Sequence, residues 1–371
     1  MKIKSVEAIP LAAEFERPFR FAGVDRITSQ NVIVVIRSDE GVAGFGEACP
    51  VPHLSAMSQQ AIAHVVETIA SPLLEGADPL AYRPLMTQLR KAISSDPFSL
   101  AALDTALLDL VGKSLNVSIT TLLGGAYRET VPVHASVGWS EDGSTMIDEA
   151  LSLIDQYTYL KVYLGRGELE DDLGKLAALR EAVGAATQLM LDINAQWTAT
   201  ETLKALPTLD ELAVCAIEQP IAPGDVEGQR RVVQQSPIDI VLDEAIQTSN
   251  DVATAGRLAT GTVVNVGHSK LGGVLSAQAA ATAAYASGLG VAVGSVAELG
   301  VATAAGLHLA AALPTLSYPS YLTGYKRYKR QISEPWPVKP GGLVDVPSGP
   351  GLGIAIDEEA IEDMDARSGR R

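Results

Sequence analysis

The apolar positions of this 371-residue chain change their period twice. Residues 3–12 and 31–37 read as strands, and the second run (Asn31-Val32-Ile33-Val34-Val35-Ile36-Arg37) is rich in β-branched side chains. Asp39-Glu40-Gly41 signals a turn and Gly44-Phe45-Gly46-Glu47 opens a third strand, so the chain begins as an antiparallel meander. Between the first two strands, the stretch from Phe15 to Gly23 holds three phenylalanines, two arginines and a proline. It reads either as a lid or as a surface loop with a few buried aromatics. From Ser58 to Ala92 and from Pro97 to Leu115 the spacing turns helical, with Leu103, Ala106, Leu107 and Leu110 at i, i+3, i+4 and i+7. Strands first and helices after predict an α+β domain over residues 1–125, closing at Leu122-Leu123-Gly124-Gly125.

From Val131 the pattern alternates. Short apolar runs recur near residues 131–137, 159–163, 188–192, 213–218, 238–243, 262–266, 291–294 and 315–318, most of them separated by helical stretches such as 171–183 and 274–287. Eight strands alternating with helices predict a (β/α)8-type barrel over residues 126–320. The competing doubly wound sheet is disfavoured, because no glycine-rich dinucleotide fingerprint follows the first strand. After residue 320 the alternation stops. Tyr321 to Arg330 is basic and aromatic, Pro335, Pro337 and Pro340 follow, and residues 321–371 are expected to pack back on the first domain, with 366–371 frayed. The expected fold class is therefore α/β: a (β/α)8-type barrel with an N-terminal α+β capping domain completed by the C-terminal segment.

Composition narrows the function classes. Hydrophobic residues at 47% and charged residues at 19% allow a large core. A net charge of -16 argues against nucleic acid or an anionic membrane as partner, since both need basic surface. A local cation can still draw in a small anionic substrate. Cys49 and Cys215 indicate no disulfide framework. The N-terminus has no signal-peptide pattern, and the alanine-rich run at 277–286 is too broken for a membrane span. A cytoplasmic protein is expected.

The chemistry concentrates between Lys161 and Glu244. Gln188–Leu191 ends in Asp192, Ala213–Ile217 in Glu218 and Ile238–Leu242 in Asp243. In a barrel the C-terminal strand ends face the active site. Three adjacent carboxylates there suit one hard cation, Mg2+ or alternatively Mn2+. The plainer alternative is that each acid caps the helix that follows its strand. Asn194 and Gln196 stand in supporting positions, and Glu244 could orient a ligand or a lysine.

Leu191-Asp192-Ile193-Asn194-Ala195-Gln196-Trp197, Ile217-Glu218-Gln219-Pro220 and Leu242-Asp243-Glu244 resemble the metal-ligand segments of the enolase superfamily. The likeness is to its muconate-lactonizing (muconate cycloisomerase) subgroup. Leu271-Gly272-Gly273, Gly294-Ser295 with Glu298, and the tail from Gly342-Leu343 to Gly353 extend it over essentially the whole chain. The resemblance implies a magnesium-dependent enzyme that handles a proton next to a carboxylate through a metal-stabilised enediolate.

Two departures follow from the same likeness. The subgroup's strand two ends in Lys-x-Lys, whereas this chain has Lys161-Val162-Tyr163. Its strand six carries an opposing lysine, and here the register places Gly267 there, with Lys270 three residues on. The catalytic candidates are therefore Tyr163, Lys161, His268 and Lys270, with Lys326 and Lys329 further possibilities from the last loop. Tyr163 would be a base if its pKa were depressed, or an acid as it stands. Arg20, Asn194 and Glu298 are the substrate-binding candidates.

A reaction needing one proton-transfer group on a small carboxylate is expected: a cycloisomerisation or a dehydratase-like elimination. The alternatives are an amino acid racemase or epimerase with recruited bases, and a catalytically silent ligand-binding homologue. Leu316–Ser320 lacks the Asp-x-Asp of dipeptide epimerases, specificity is expected in residues 15–27 and 50–58, and a symmetric homo-oligomer is expected.

Overall fold

The computed structural model describes residues 1–21, 24–334 and 336–365. Ala22 and Gly23 of the expected lid, Pro335, and the end expected to fray at 366–371 lie outside the described residues.

The chain opens with a three-stranded antiparallel sheet, β1 (Ile3–Phe21), β2 (Val24–Ser38) and β3 (Ala43–Ala48), in that order. The stretch from Phe15, expected as a loop, is the far end of β1. Its register slips between Glu14 and Phe19 and resumes as Phe19↔Arg26 and Arg20↔Asp25. Pairing with β2 overrides the loop-like composition. Phe15 and Phe19 are buried while Glu16, Arg17 and Pro18 between them are exposed.

This sheet lies on the helix Pro97–Leu115, which is buried on every face from Phe98 to Gly112. Asp96 caps its start by accepting from Ser99 N at 3.1 Å, and Asn116 ends it in the left-handed region with φ 55°. The helix backbone touches β3 directly. A Cβ on Gly46 would fall 1.8 Å from the carbonyl oxygen of Ala102, so only glycine permits that approach.

The second half contains β4 (Thr130–Pro132), β5 (Ala135–Val137), β6 (Tyr159–Tyr163), β7 (Gln188–Asp192), β8 (Val214–Glu218), β9 (Asp239–Leu242), β10 (Val263–Asn265), β11 (Gly290–Ala292) and β12 (Leu343–Asp345). Strands β5 to β11 form one parallel seven-stranded sheet in sequence order, with helices between most of them. The run expected at 131–137 is divided: β4 leaves the sheet and pairs antiparallel with β12. The eighth run, near 315–318, is not a regular strand. Pro314 and Pro319 remove donors there. Its backbone still bridges the two sheet edges. Ser317 N and Tyr321 N donate to Val291 O and Val293 O at 2.7 and 2.9 Å, while Ser320 N donates to Pro132 O at 2.8 Å.

The tail returns to the first sheet. Leu11 bridges to Asp365, Arg37 pairs with Glu358 at 3.0 Å, and Leu352 N donates to the buried Asp109 carboxylate at 2.8 Å. Among the described residues, no helix is long and apolar enough to cross a membrane.

Candidate active site

Parallel register sets the candidate acids side by side. Tyr163 is the partner of Asp192, and Asp192 is the partner of Glu218. Asp243 follows β9, the next strand in the sheet. These strand ends, with Lys161, Asn194, Asn265, Gly267 and Lys270, line a small cavity. The first sheet and the loop after it close the other side with Phe19, His53 and Leu54.

Each acid is held by a named partner. Lys161 Nζ donates to Asp192 Oδ2 at 2.9 Å and to Glu218 Oε2 at 3.0 Å. The same ammonium lies 5.5 Å from the Tyr163 ring centroid and 5.4 Å from that of Tyr321. Lys270 Nζ reaches Asp243 Oδ1 at 2.8 Å, Asp243 O at 2.5 Å and Ile246 O at 3.0 Å. Asn265 Nδ2 donates to Glu218 Oε1 at 2.8 Å, and its Oδ1 accepts from Gly267 N and Gly294 N at 3.0 and 2.8 Å. Asn194 donates through Nδ2 to Glu244 Oε1 at 3.3 Å. Gln219 Oε1 accepts from Asp243 N and Ala245 N at 2.9 and 3.1 Å, which fixes the loop carrying the third acid.

The site gathers four buried carboxyl groups around two lysines. Asp192, Glu218, Asp243 and Glu244 face Lys161 and Lys270. Burial pushes the Asp192 carboxyl up to about 7, with Glu218 and Asp243 adding to the rise and Lys161 opposing it. Burial, then Asp243 and Asp192, hold Glu244 well above the usual carboxylate range, and its Oε2 is buried with no hydrogen-bond partner among the described residues. Asp243 goes the other way: against its burial, Lys270 holds it below the ordinary value. Among the described residues, no three acidic, histidine or cysteine side chains surround one point closely enough to hold an ion as they stand. The Lys161 ammonium between Asp192 and Glu218 accounts for this.

Tyr163 is buried, edge-on to Phe19 at 5.4 Å between ring centroids. Burial raises its phenol well above the ordinary value even though Lys161 acts in the opposite direction. The depressed pKa that would make it a base is not found, and the phenol stays protonated. His53 is held neutral: burial pulls its imidazole down to about 4, while Asp243 opposes the shift and Arg26 adds to it.

Of the expected site residues, Asp192, Glu218, Asp243, Lys161, Tyr163, Lys270 and Asn194 come together around the cavity. Three do not. His268 is buried away from it, with its Cε1 3.7 Å from where a Cβ on Gly306 would lie, although Gly267, Ser269 and Lys270 on either side line the cavity. Arg20 lies 3.4 Å from Asp25 on the opposite face of β1, whose alternation sends Phe19 inward instead. Glu298 stands behind the wall, accepting from Ser269 Oγ at 2.7 Å, Val296 N at 3.1 Å and Ser295 Oγ. Lys326 and Lys329 also point elsewhere, to Tyr157 and to Glu14.

Phe19, His53, Asn265 and Tyr321 line the cavity without having been singled out. Phe19 and His53 lie within the 15–27 and 50–58 stretches expected to carry specificity, and Asn265 ends its strand.

Comparison with known proteins agrees with this geometry. Residues 5–124 match the family described as "Mandelate racemase / muconate lactonizing enzyme, N-terminal domain", and residues 145–360 match "Enolase C-terminal domain-like". The chain is 28% identical to an N-succinyl-L-Arg/Lys racemase of Bacillus cereus, over 98% of each chain. It is 30% identical to a chloromuconate cycloisomerase of Cupriavidus pinatubonensis, over 97% of this chain and 98% of the relative. The crystal structure of muconate lactonizing enzyme from Pseudomonas fluorescens complexed with muconolactone superposes with a TM-score of 0.94 at 28% identity, covering 98% of this chain and 99% of the other. With matched segments over most of its length and this strand-end acid set, the chain belongs to the enolase superfamily of enzymes, as a muconate cycloisomerase-like member.

Proposed function

We propose that the protein is a magnesium-dependent enzyme of cycloisomerase or dehydratase-like lyase type, acting on a small carboxylate, with Tyr163 as its proton donor. One observation carries this: the buried phenol at the end of β6 faces the cavity in its protonated form, while the opposing barrel position is Gly267. Asp192, Glu218 and Asp243 would hold Mg2+ or Mn2+. The all-oxygen donor set, the clustering of buried carboxyl groups and Glu244 Oε2, which has no hydrogen-bond partner among the described residues, all suit such a cation. When bound, the cation neutralises charge that develops on the substrate carboxylate.

The residues of the chain do the rest. In a cycloisomerisation, a carboxylate oxygen of the substrate bonds to one carbon of a conjugated double bond. The displaced electron pair moves to the carbon next to the other carboxylate. Tyr163 Oη–H protonates that carbon, and the phenolate left behind faces the Lys161 ammonium. A raised phenol pKa is no obstacle in this direction, since a carbon acid next to a carboxylate is far weaker still. Phe19 and Leu54 shield the reacting carbon from water.

Lactone formation from muconate in the presence of Mg2+ is the test. Tyr163→Phe should lower kcat by about 10²–10⁴ with KM little changed. Full activity in that variant would remove Tyr163 from the mechanism. Racemisation at the α-carbon is a second reading, favoured by the full-length likeness to the N-succinyl-L-Arg/Lys racemase. A broad acid library giving neither turnover nor α-exchange would leave a silent ligand-binding homologue. A cytoplasmic symmetric homo-oligomer belongs to the same proposal, and a monomer by light scattering would remove that part.

A further inference from the structure

Among the described residues, the barrel sends no uncommitted proton-transfer group to the side of the cavity facing Tyr163. Strand β10 stands four places from β6 around the sheet and leads into Gly267. The other barrel side chains on that side are engaged. Lys270 directs its three N–H donors at Asp243 Oδ1, Asp243 O and Ile246 O. Ser269 and Ser295 both donate to Glu298. His268 lies outside the cavity wall.

The loop after β3 offers the missing group. His53 lines the cavity beside Leu54. Leu54 and Lys270 also form the partition between this cavity and the neighbouring groove, so this part of the loop sits over β9 and β10, across from β6. Among the charged groups facing the ring are Asp243 from the barrel and Arg26 from β2. A neutral imidazole can accept a proton at one nitrogen while the other donates.

We propose that His53 is a second proton-transfer group of this site, acting on the substrate face opposite Tyr163. The inference rests on the second reading of the function, racemisation at an α-carbon, and on the assignment of Tyr163 as donor. The α C–H bond of a carboxylate substrate breaks, its proton goes to an imidazole nitrogen, and the electron pair stays on carbon and spreads into the carboxylate. Tyr163 then gives its phenolic proton to the other face, its O–H electron pair remaining on the phenolate. Loss of the imidazolium proton to water, and uptake of one by the phenolate, restore both groups. The substrate class is a carboxylate with one α-hydrogen, and the outcome is inversion at that carbon.

The test uses both enantiomers of N-succinyl-arginine in D2O with Mg2+. The wild-type protein should exchange the α-hydrogen of one enantiomer with inversion. His53→Gln should slow that exchange at least 100-fold. Tyr163→Phe should keep the exchange but lose inversion, because deuterium then returns from the face it left. Exchange in His53→Gln within twofold of wild type would overturn the proposal, as would Tyr163→Phe and His53→Gln losing exchange equally. If the wild-type protein exchanges neither enantiomer, Mn2+ titration with malonate present decides the placement by NMR. Selective broadening of the His53 ring protons, absent from the His53→Gln spectrum, supports it, and an unbroadened His53 ring overturns it. Lactone formation from muconate, measured separately, reports on the Tyr163 assignment alone.

Discussion

Lys161 illustrates how one side chain can serve two states of the same site. Its Nζ is almost fully buried and bridges Asp192 and Glu218 at 2.9 and 3.0 Å. Without a bound cation it is the main counter-charge for those two acids, since Lys270 is committed to Asp243. Removing one partner of a buried ion pair leaves an uncompensated charge, which typically costs about 3–5 kcal/mol. Lys161→Met should therefore lose roughly that much stability in EDTA, measured by urea unfolding, and recover much of it on addition of Mg2+. Equal losses with and without Mg2+ would mean that the acids do not share a cation. At this scale the acids themselves were legible, because each ends an apolar run and a carboxylate is conspicuous there. Their lysine partners were not, because pairing depends on three-dimensional register. Arg20 was misjudged because composition marked the segment while strand parity decided which side chain faced inward. His53 lies within the 50–58 stretch expected to carry specificity, but a loop histidine has no period to single it out.

At the scale of elements, the alternation from Val131 onward announced the barrel because buried parallel strands are short and nearly all apolar. It could not reveal that β4 would pair with β12, since antiparallel partners from distant segments share no local pattern. Nor could it reveal that prolines would loosen the eighth run. The helix Gly300–Ala312 shows what such packing does to a titratable group. His308 is fully buried in it; its Nε2–H donates to Leu352 O at 3.0 Å, and its Nδ1 accepts from Thr120 Oγ1 at 2.7 Å. Burial pulls the ring from 6.5 down to about 4, the Leu352 carbonyl opposing. The unfolded chain thus binds this proton at a higher pH than the folded one. Stability from His308 is fully present above pH 6.5 and is lost as pH falls toward 4, by on the order of 3 kcal/mol. His134, pulled down to about 3 chiefly by burial, acts in the same direction. His308→Gln should accordingly flatten, without abolishing, the fall in urea-unfolding free energy between pH 7 and pH 5. An unchanged slope would mean that the ring is already charged or exposed in the native state.

Over the whole molecule, the cavity exists only while the first sheet stays seated on the barrel, since Phe19, His53 and Leu54 come from one and the acids from the other. A single buried carboxylate does much of that seating. Glu47 of β3 accepts from Asn31 Nδ2 at 2.6 Å within the sheet, and from Leu299 N and Ala302 N at 2.8 and 2.9 Å at the start of the barrel helix. Burial raises it to about 7, so it holds this position at a cost in charge that the helix N-terminus only partly offsets. Arg26 adds a second link, donating to Val296 O at 2.9 Å. With these links intact, the sheet and barrel should unfold in one cooperative transition. Glu47→Ala strands three buried donors, each worth about 1–3 kcal/mol when left unsatisfied, so a loss of ~3 kcal/mol or more is expected. Glu47→Gln keeps one acceptor oxygen and should lose less. The loss should also appear in function: with the sheet loosened, KM should rise as Phe19 and Leu54 leave the cavity wall, and any reaction that uses His53 should lose kcat with it. A Glu47→Ala protein that unfolds within 0.5 kcal/mol of wild type and keeps its KM would show that apolar packing around the helix Pro97–Leu115 seats the sheet unaided.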